Sequence, residues 1–352
     1  MNASVSAKTN VWGEKRIVSL NEKFPNLDQE TIAILSEMTG GDPFDITAIP
    51  ISEARGIATE FLSMVGGSWT PPDCAAQSIK LKGGHSAVLI EPQSRPQKAA
   101  PLVIWYHGGG WVFGSAELHE PYGKEYAHRA GCVLAEVDYP LSPETSGREL
   151  IEACTQSALE LISRFTETSA GFFGWGRTKR PVVIGGESAG ATLAMFVASK
   201  LGSALVDKVV VANPLVDFRR NVDYASRTRF ADDAIMQDWS EFDWFIDQFA
   251  PEAKRQDLSI ISHVSHDFPE IVILLGEYDM LLDEGEAFAR ALRAAGGRCE
   301  SRTIPGAIHN TIEFGPVTPG GIAFIEAIAE ELKVPATTRK TKSLPTSSML
   351  IR

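Results

Sequence analysis

Short apolar runs alternate with longer amphipathic stretches through most of this chain. The runs are AVLIE (87–91), LVIWY (102–106), CVLAEVDY (132–139), PVVIGGE (181–187), KVVVAN (208–213), IVILLGE (271–277) and ESRTI (300–304). Stretches with helical spacing lie between most of them, near 119–130, 149–165, 189–201, 284–295 and 320–333. Strands this short and apolar, bounded by glycine or proline and separated by helices, predict an α/β architecture. Its central sheet is mainly parallel, with helices on both faces.

Two regions fall outside the alternation. LDQETIAILSEMTG and SEARGIATEFLSMVGG, within 27–67, each begin with a capping residue and end in glycine, as helices do. Residues 217–262 are too long for an ordinary connection. Their Phe242, Phe245, Ile246 and Phe249 suit one face of a helix. These regions are expected to pack together as a helical cap. The organisation predicted is an arm with cap helices (1–75, the first twenty or so residues loose), a first part of the core (76–216), a cap insertion (217–262), a second part of the core (263–334) and a disordered tail (335–352).

Composition narrows the classes. Of 352 residues, 44% are hydrophobic and 22% charged, which suits a large buried core. The net charge of −12 argues against nucleic acid or an anionic membrane surface as partner. No stretch reaches the roughly 18 apolar residues of a membrane span, and the N-terminus has no apolar leader. Cys74, Cys132, Cys154 and Cys299 form no CxxC or zinc-like cluster and read as reduced thiols. The expectation is a cytoplasmic protein without metal or cofactor, for which a homodimer is an open option.

The chemistry begins at GGESAG (185–190). It holds G-x-S-x-G between the run PVVI and the helix-like ATLAMFVASKL, the strand–turn–helix setting in which Ser188 becomes an exposed nucleophile. HGGGWVFG (107–114) follows the strand LVIWY, and its glycines let backbone N–H groups approach a developing oxyanion. It lacks the GK[ST] ending of a phosphate loop. The donors assigned are Gly108, Gly109 and Ala189, with His107 bracing the loop. In the α/β-hydrolase fold the serine is followed by an acid and then a histidine. Asp279 comes just after the run IVILL, and His309 just after the last strand. His263 and His266 come too early. Asp283 is a competing acid, though it also suits the first turn of the next helix. Trp111 and Phe113 could border the acyl pocket, and Phe242, Trp244 and Phe245 the alcohol side. Packing under the cap is the other reading for each.

HGGGW, GESAG, DMLLD and His309, in this order, resemble the hormone-sensitive lipase family of esterases, from about residue 30 to 333. Ala191 stands where the family usually has another glycine, and YPLSPE (139–144) where it often has YRLAPE, with Glu144 kept as a structural carboxylate. The resemblance implies a serine carboxylesterase acting on small ester substrates through an acyl-enzyme. Amide hydrolysis, acyl transfer or a lyase step would use the same residues. Plant gibberellin receptors resemble this family without a working triad, but here serine, acid, base and glycines are all present.

Overall fold

A computed structural model describes residues 20–38, 45–93, 100–165 and 180–334. The loose arm and the tail expected over 335–352 lie outside these, apart from the end of the arm. The strands are β1 (Cys74–Lys80), β2 (Ser86–Pro92), β3 (Leu102–Tyr106), β4 (Val133–Asp138), β5 (Val182–Glu187), β6 (Lys208–Ala212), β7 (Ile271–Gly276) and β8 (Cys299–Ile304). They form one sheet in the order β1-β2-β4-β3-β5-β6-β7-β8. β1 and β2 pair antiparallel, β2 joins β4 antiparallel, and every later pairing is parallel. All seven expected strands are present. β1 was not anticipated, because CAAQSIK is a mostly exposed edge strand with no apolar run.

The helices are α1 (Gln29–Met38), α2 (Ile51–Gly66), α3 (Ala116–Ala130), α4 (Gly147–Phe165), α5 (Ala189–Leu205), α6 (Ala225–Arg229), α7 (Trp239–Phe249), α8 (Leu282–Ala294) and α9 (Pro319–Glu331). Strand residues alternate between the two faces. Leu102, Ile104 and Tyr106 of β3 belong to one apolar cluster with residues of α4, α5 and α8, while Val103 and Trp105 belong to another with residues of α3 and α9. Burial on both faces is why the central strands read as unbroken apolar runs.

The two regions outside the alternation meet at the C-terminal end of the sheet. Ala54 of α2, Val112 and Phe113 form a small apolar cluster with Trp244 and Phe245 of α7. Arg55 donates to the carbonyls of Val112 and Ser142 (both 2.9 Å) and forks onto Glu144 at 2.8 and 2.7 Å. An exposed pair contributes little energy by itself. The two backbone contacts make this one a fixture that ties α2 to the loops after β3 and β4. Glu144 is thus a structural carboxylate. Among the described residues, no helix is long and apolar enough to cross a membrane.

Candidate active site

Ser188 sits between the end of β5 and the start of α5, with φ 52° and ψ −121°. That left-handed backbone costs roughly 1–3 kcal/mol for a residue with a side chain and persists only where the surroundings impose it. Here they do. The Ser188 N–H donates to the Ala212 carbonyl of β6 at 2.9 Å. A Cβ at Gly190 would overlap the carbonyl oxygens of Tyr106 and His107, and one at Gly186 would strike the Tyr106 oxygen. The small flanking residues of G-x-S-x-G are required because the elbow presses against the end of β3.

The Ser188 hydroxyl lies 2.9 Å from Nε2 of His309, and Nδ1 of His309 lies 2.8 Å from Oδ2 of Asp279. A carboxylate at Nδ1 can only accept. The ring proton therefore sits on Nδ1, and Nε2 is free to accept from the serine. Asp279 is fully buried, and its other oxygen accepts from the Leu281 N–H at 2.8 Å. Asp283 is turned elsewhere. Its carboxylate accepts from the Ser226 N–H at 2.8 Å, and its own N–H donates to the Ser226 hydroxyl. Of the two candidate acids, only Asp279 is hydrogen-bonded to His309.

Burial works against charging His309, but the Asp279 carboxylate, with Glu313 and Glu241 beyond it, outweighs burial and raises the imidazole pKa. Burial also pushes Glu313 and Glu241 up to about 7. The imidazole therefore sits beside two carboxyls whose pKa values burial raises toward neutrality.

Gly109, Gly110 and Trp111 have φ values of 102°, 60° and 64°. Gly109 O accepts from the N–H groups of Val112 (3.0 Å) and Phe113 (2.8 Å), closing a tight turn. A side chain at Gly109 would meet the Phe113 backbone, and one at Gly110 would meet the Phe245 ring. Gly108 departs from expectation, because its N–H donates to Oε1 of Glu187 at 2.9 Å and is not free for a substrate oxygen. Among the described residues, no hydrogen bond engages the N–H groups of Gly109, Gly110 or Ala189. Those three N–H groups are the candidate oxyanion donors, Gly110 standing where Gly108 was expected.

Trp111 is another correction. It is wholly buried, stacks on Phe249 at 4.3 Å between ring centroids, and its indole N–H donates to the Ala189 carbonyl at 3.0 Å. It does not border a pocket. Phe113 is buried against Phe245 and Trp244. The packing reading holds for it as well. Phe242 of the insertion touches the triad, edge-on to His309 at 5.0 Å. His107 braces the loop as expected: it stacks between Tyr139 and His119, and its Nδ1 lies 2.8 Å from Gly108 O.

Sequence reading missed three side chains. Glu187, one residue before the serine, bridges the Gly108 N–H and the Trp105 indole; burial pushes its carboxyl up to about 8. Together with the Trp111–Ala189 bond, it fastens the glycine loop to both neighbours of Ser188. Asn213 donates to the His309 carbonyl at 3.1 Å and accepts from the Gly276 N–H at 2.9 Å. Gln237 reaches the acid and base loops from the insertion. Glu187 lay inside a recognised motif and could have been found. The two amides carry no local signal.

Comparison with known proteins gives the family and the fold. A family described as alpha/beta hydrolase fold matches residues 103–313. An ethyl acetate hydrolase from Pseudomonas putida is 25% identical over 331 residues, covering 90% of this chain and all of that one. Carboxylesterase NlhH from Mycobacterium tuberculosis is 27% identical over 62% of this chain and 69% of its own length. An esterase structure from Pyrobaculum calidifontis superposes with a TM-score of 0.72 at 25% identity, over 87% of this chain and 98% of that one.

Proposed function

Because the chain belongs to the α/β-hydrolase family and is a carboxylic ester hydrolase, we propose that it opens short- to medium-chain carboxylic esters through an acyl-enzyme on Ser188. His309 Nε2 takes the hydroxyl proton as Ser188 attacks the ester carbonyl. Asp279 holds the imidazole tautomer and steadies the imidazolium. The tetrahedral oxyanion meets the N–H groups of Gly109, Gly110 and Ala189, in a site where such donors are worth far more than in water. The intermediate collapses, and His309 returns its proton to the leaving alcohol. Water then attacks the acyl-serine with His309 again as base, releasing the acid and free serine.

The observation that carries this reading is the unbroken relay Ser188–His309–Asp279 at 2.9 and 2.8 Å, ending on a fully buried carboxylate. The described residues of the 1–75 segment and the insertion (217–262) act as a cap in the same reading. Phe113, Trp244 and Phe245 pack against one another beside the glycine loop. Three buried free thiols, Cys74, Cys132 and Cys154, suit a reducing, cytoplasmic setting, with a small-molecule ester as the partner and a homodimer allowed. Hydrolysis of p-nitrophenyl esters from acetate to decanoate, with Ser188→Ala as control, tests the proposal. Activity is expected on the shorter esters and a loss of about 10⁶-fold in the variant. Equal rates in the two proteins would overturn it.

A further inference from the structure

The acid and the base stand on separate loops, after β7 and after β8, and one side chain from neither loop touches both. Gln237, in the insertion, is fully buried. Its Oε1 accepts from the N–H of Met280 at 3.2 Å and of His309 at 3.4 Å. Its Nε2 donates to the carbonyls of Tyr278 at 2.8 Å and Phe230 at 3.2 Å. Every hydrogen-bonding position of the carboxamide is used, and two donors facing one end and two acceptors the other fix its orientation. Tyr278 and Met280 are the chain neighbours of Asp279. One amide therefore grips the peptide on both sides of the acid and the peptide of the base.

We propose that Gln237 is a positioning residue that holds the acid and base loops in register, so that the insertion takes part in catalysis without touching substrate. This rests on the triad reading above. The amide is itself anchored. Gln237 and Asp232 exchange backbone hydrogen bonds at 3.2 and 2.8 Å, and Asp232 pairs with Lys23 at 2.8 Å. From the sheet side, Asn213 holds the His309 carbonyl. The His309 peptide is thus gripped at its N–H by the insertion and at its carbonyl by the sheet. A proton relay tolerates little error, and a misplacement of about 1 Å from a remote change can cost about 10²-fold in rate.

Gln237→Met keeps length and burial but removes all four bonds. In the full-length variant, kcat for p-nitrophenyl acetate is expected to fall about 10²-fold with KM little changed. NMR titration of the His309 ring, which needs no substrate, is expected to give a lower pKa, because the raising contact with Asp279 loosens. The other groups facing that ring, Glu313 beside it in the chain and Glu241 and Phe242 of α7, are untouched by the substitution. An unmoved His309 pKa overturns the proposal, whatever happens to the rate. A wild-type protein that cleaves no ester would instead sink the esterase reading, while the titration still decides the role of Gln237. Should the Met variant not fold, Gln237→Glu decides. Its neutral acid keeps both acceptor contacts and one donor, but once ionised it opposes the carbonyls of Tyr278 and Phe230. Its kcat relative to wild type is expected to drop as pH rises, and a constant ratio overturns the proposal.

Discussion

The nucleophile half of the site and the acid–base half are held in place by different physics. Ser188 and the glycine loop come from adjacent strands, β5 and β3, and contact is enforced by sterics: a Cβ at Gly186, Gly109 or Gly190 has nowhere to go. The bonds that fasten this half join residues 108 and 111 to the immediate neighbours of Ser188. Asp279 and His309 instead stand on loops beyond the last two strands, registered by hydrogen bonds: the loops bond each other through Tyr278 N–H to the Ala307 carbonyl (2.9 Å) and Gly306 N–H to the Glu277 carboxylate (2.8 Å), and the amides of Asn213 and Gln237 add bonds from outside. A half built on excluded volume fails when an atom is added. A half built on hydrogen bonds fails when a partner is removed.

The sharpest break of the contrast is at the acid. Asp279→Asn preserves shape but puts the wrong imidazole tautomer toward Ser188, and kcat is expected to fall about 10⁴-fold. Asp283→Asn, which alters only the contact with Ser226, is expected to leave kcat within a few-fold of wild type, with a modest loss of melting temperature. Steady-state kinetics on the two variants decide between them, and a reversed order would return Asp283 to the relay.

In the other half, addition is the test. Gly109→Ala places a methyl group against the Phe113 backbone at a φ of 102°. The oxyanion donor shifts, and kcat is expected to drop about 10²–10³-fold. Reactivity of Ser188 toward a small phosphonylating reagent should fall in parallel, since that reaction also develops charge on an oxygen facing the loop. Rates equal to wild type would mean the turn relaxes, and that sterics do not set this half.

The smallest expected effect is on stability against pH. His309 and Glu187 both have raised folded pKa values, so each binds its proton more firmly folded than unfolded. Their contributions have the same sign: full at low pH and lost as pH rises through the folded values. For Glu187 the window runs from its ordinary 4.5 to about 8. Melting temperature is expected to decline across that window, and less steeply in Glu187→Gln. A rise across it would refute the assignment.

Much of this protein was legible in its sequence. Most strands follow from apolar runs, because the central ones are buried on both faces and need apolar side chains at every position; β8, only partly buried, holds few. The elbow and the glycine loop follow from motifs, because backbone crowding admits only glycine there and so leaves a mark in the chain itself. The position of His309 follows from chain order. What the sequence left open was whatever depends on distant partners. Asp279 is favoured over Asp283 by its place at the strand end, but Asp283 stays a competitor until the fold turns it to Ser226 and brings His309 to Asp279. Gly108 looked like its neighbour Gly109 until folding brought the Glu187 carboxylate to its N–H. Trp111 was open between pocket wall and cap packing until α7 stacked Phe249 upon it. Asn213 and Gln237 carry no signature, since an amide that grips a loop dozens of residues away obeys no local periodicity. Local sterics are written in the residues that suffer them. Long-range hydrogen bonds are decided only when the tertiary fold brings donor and acceptor together.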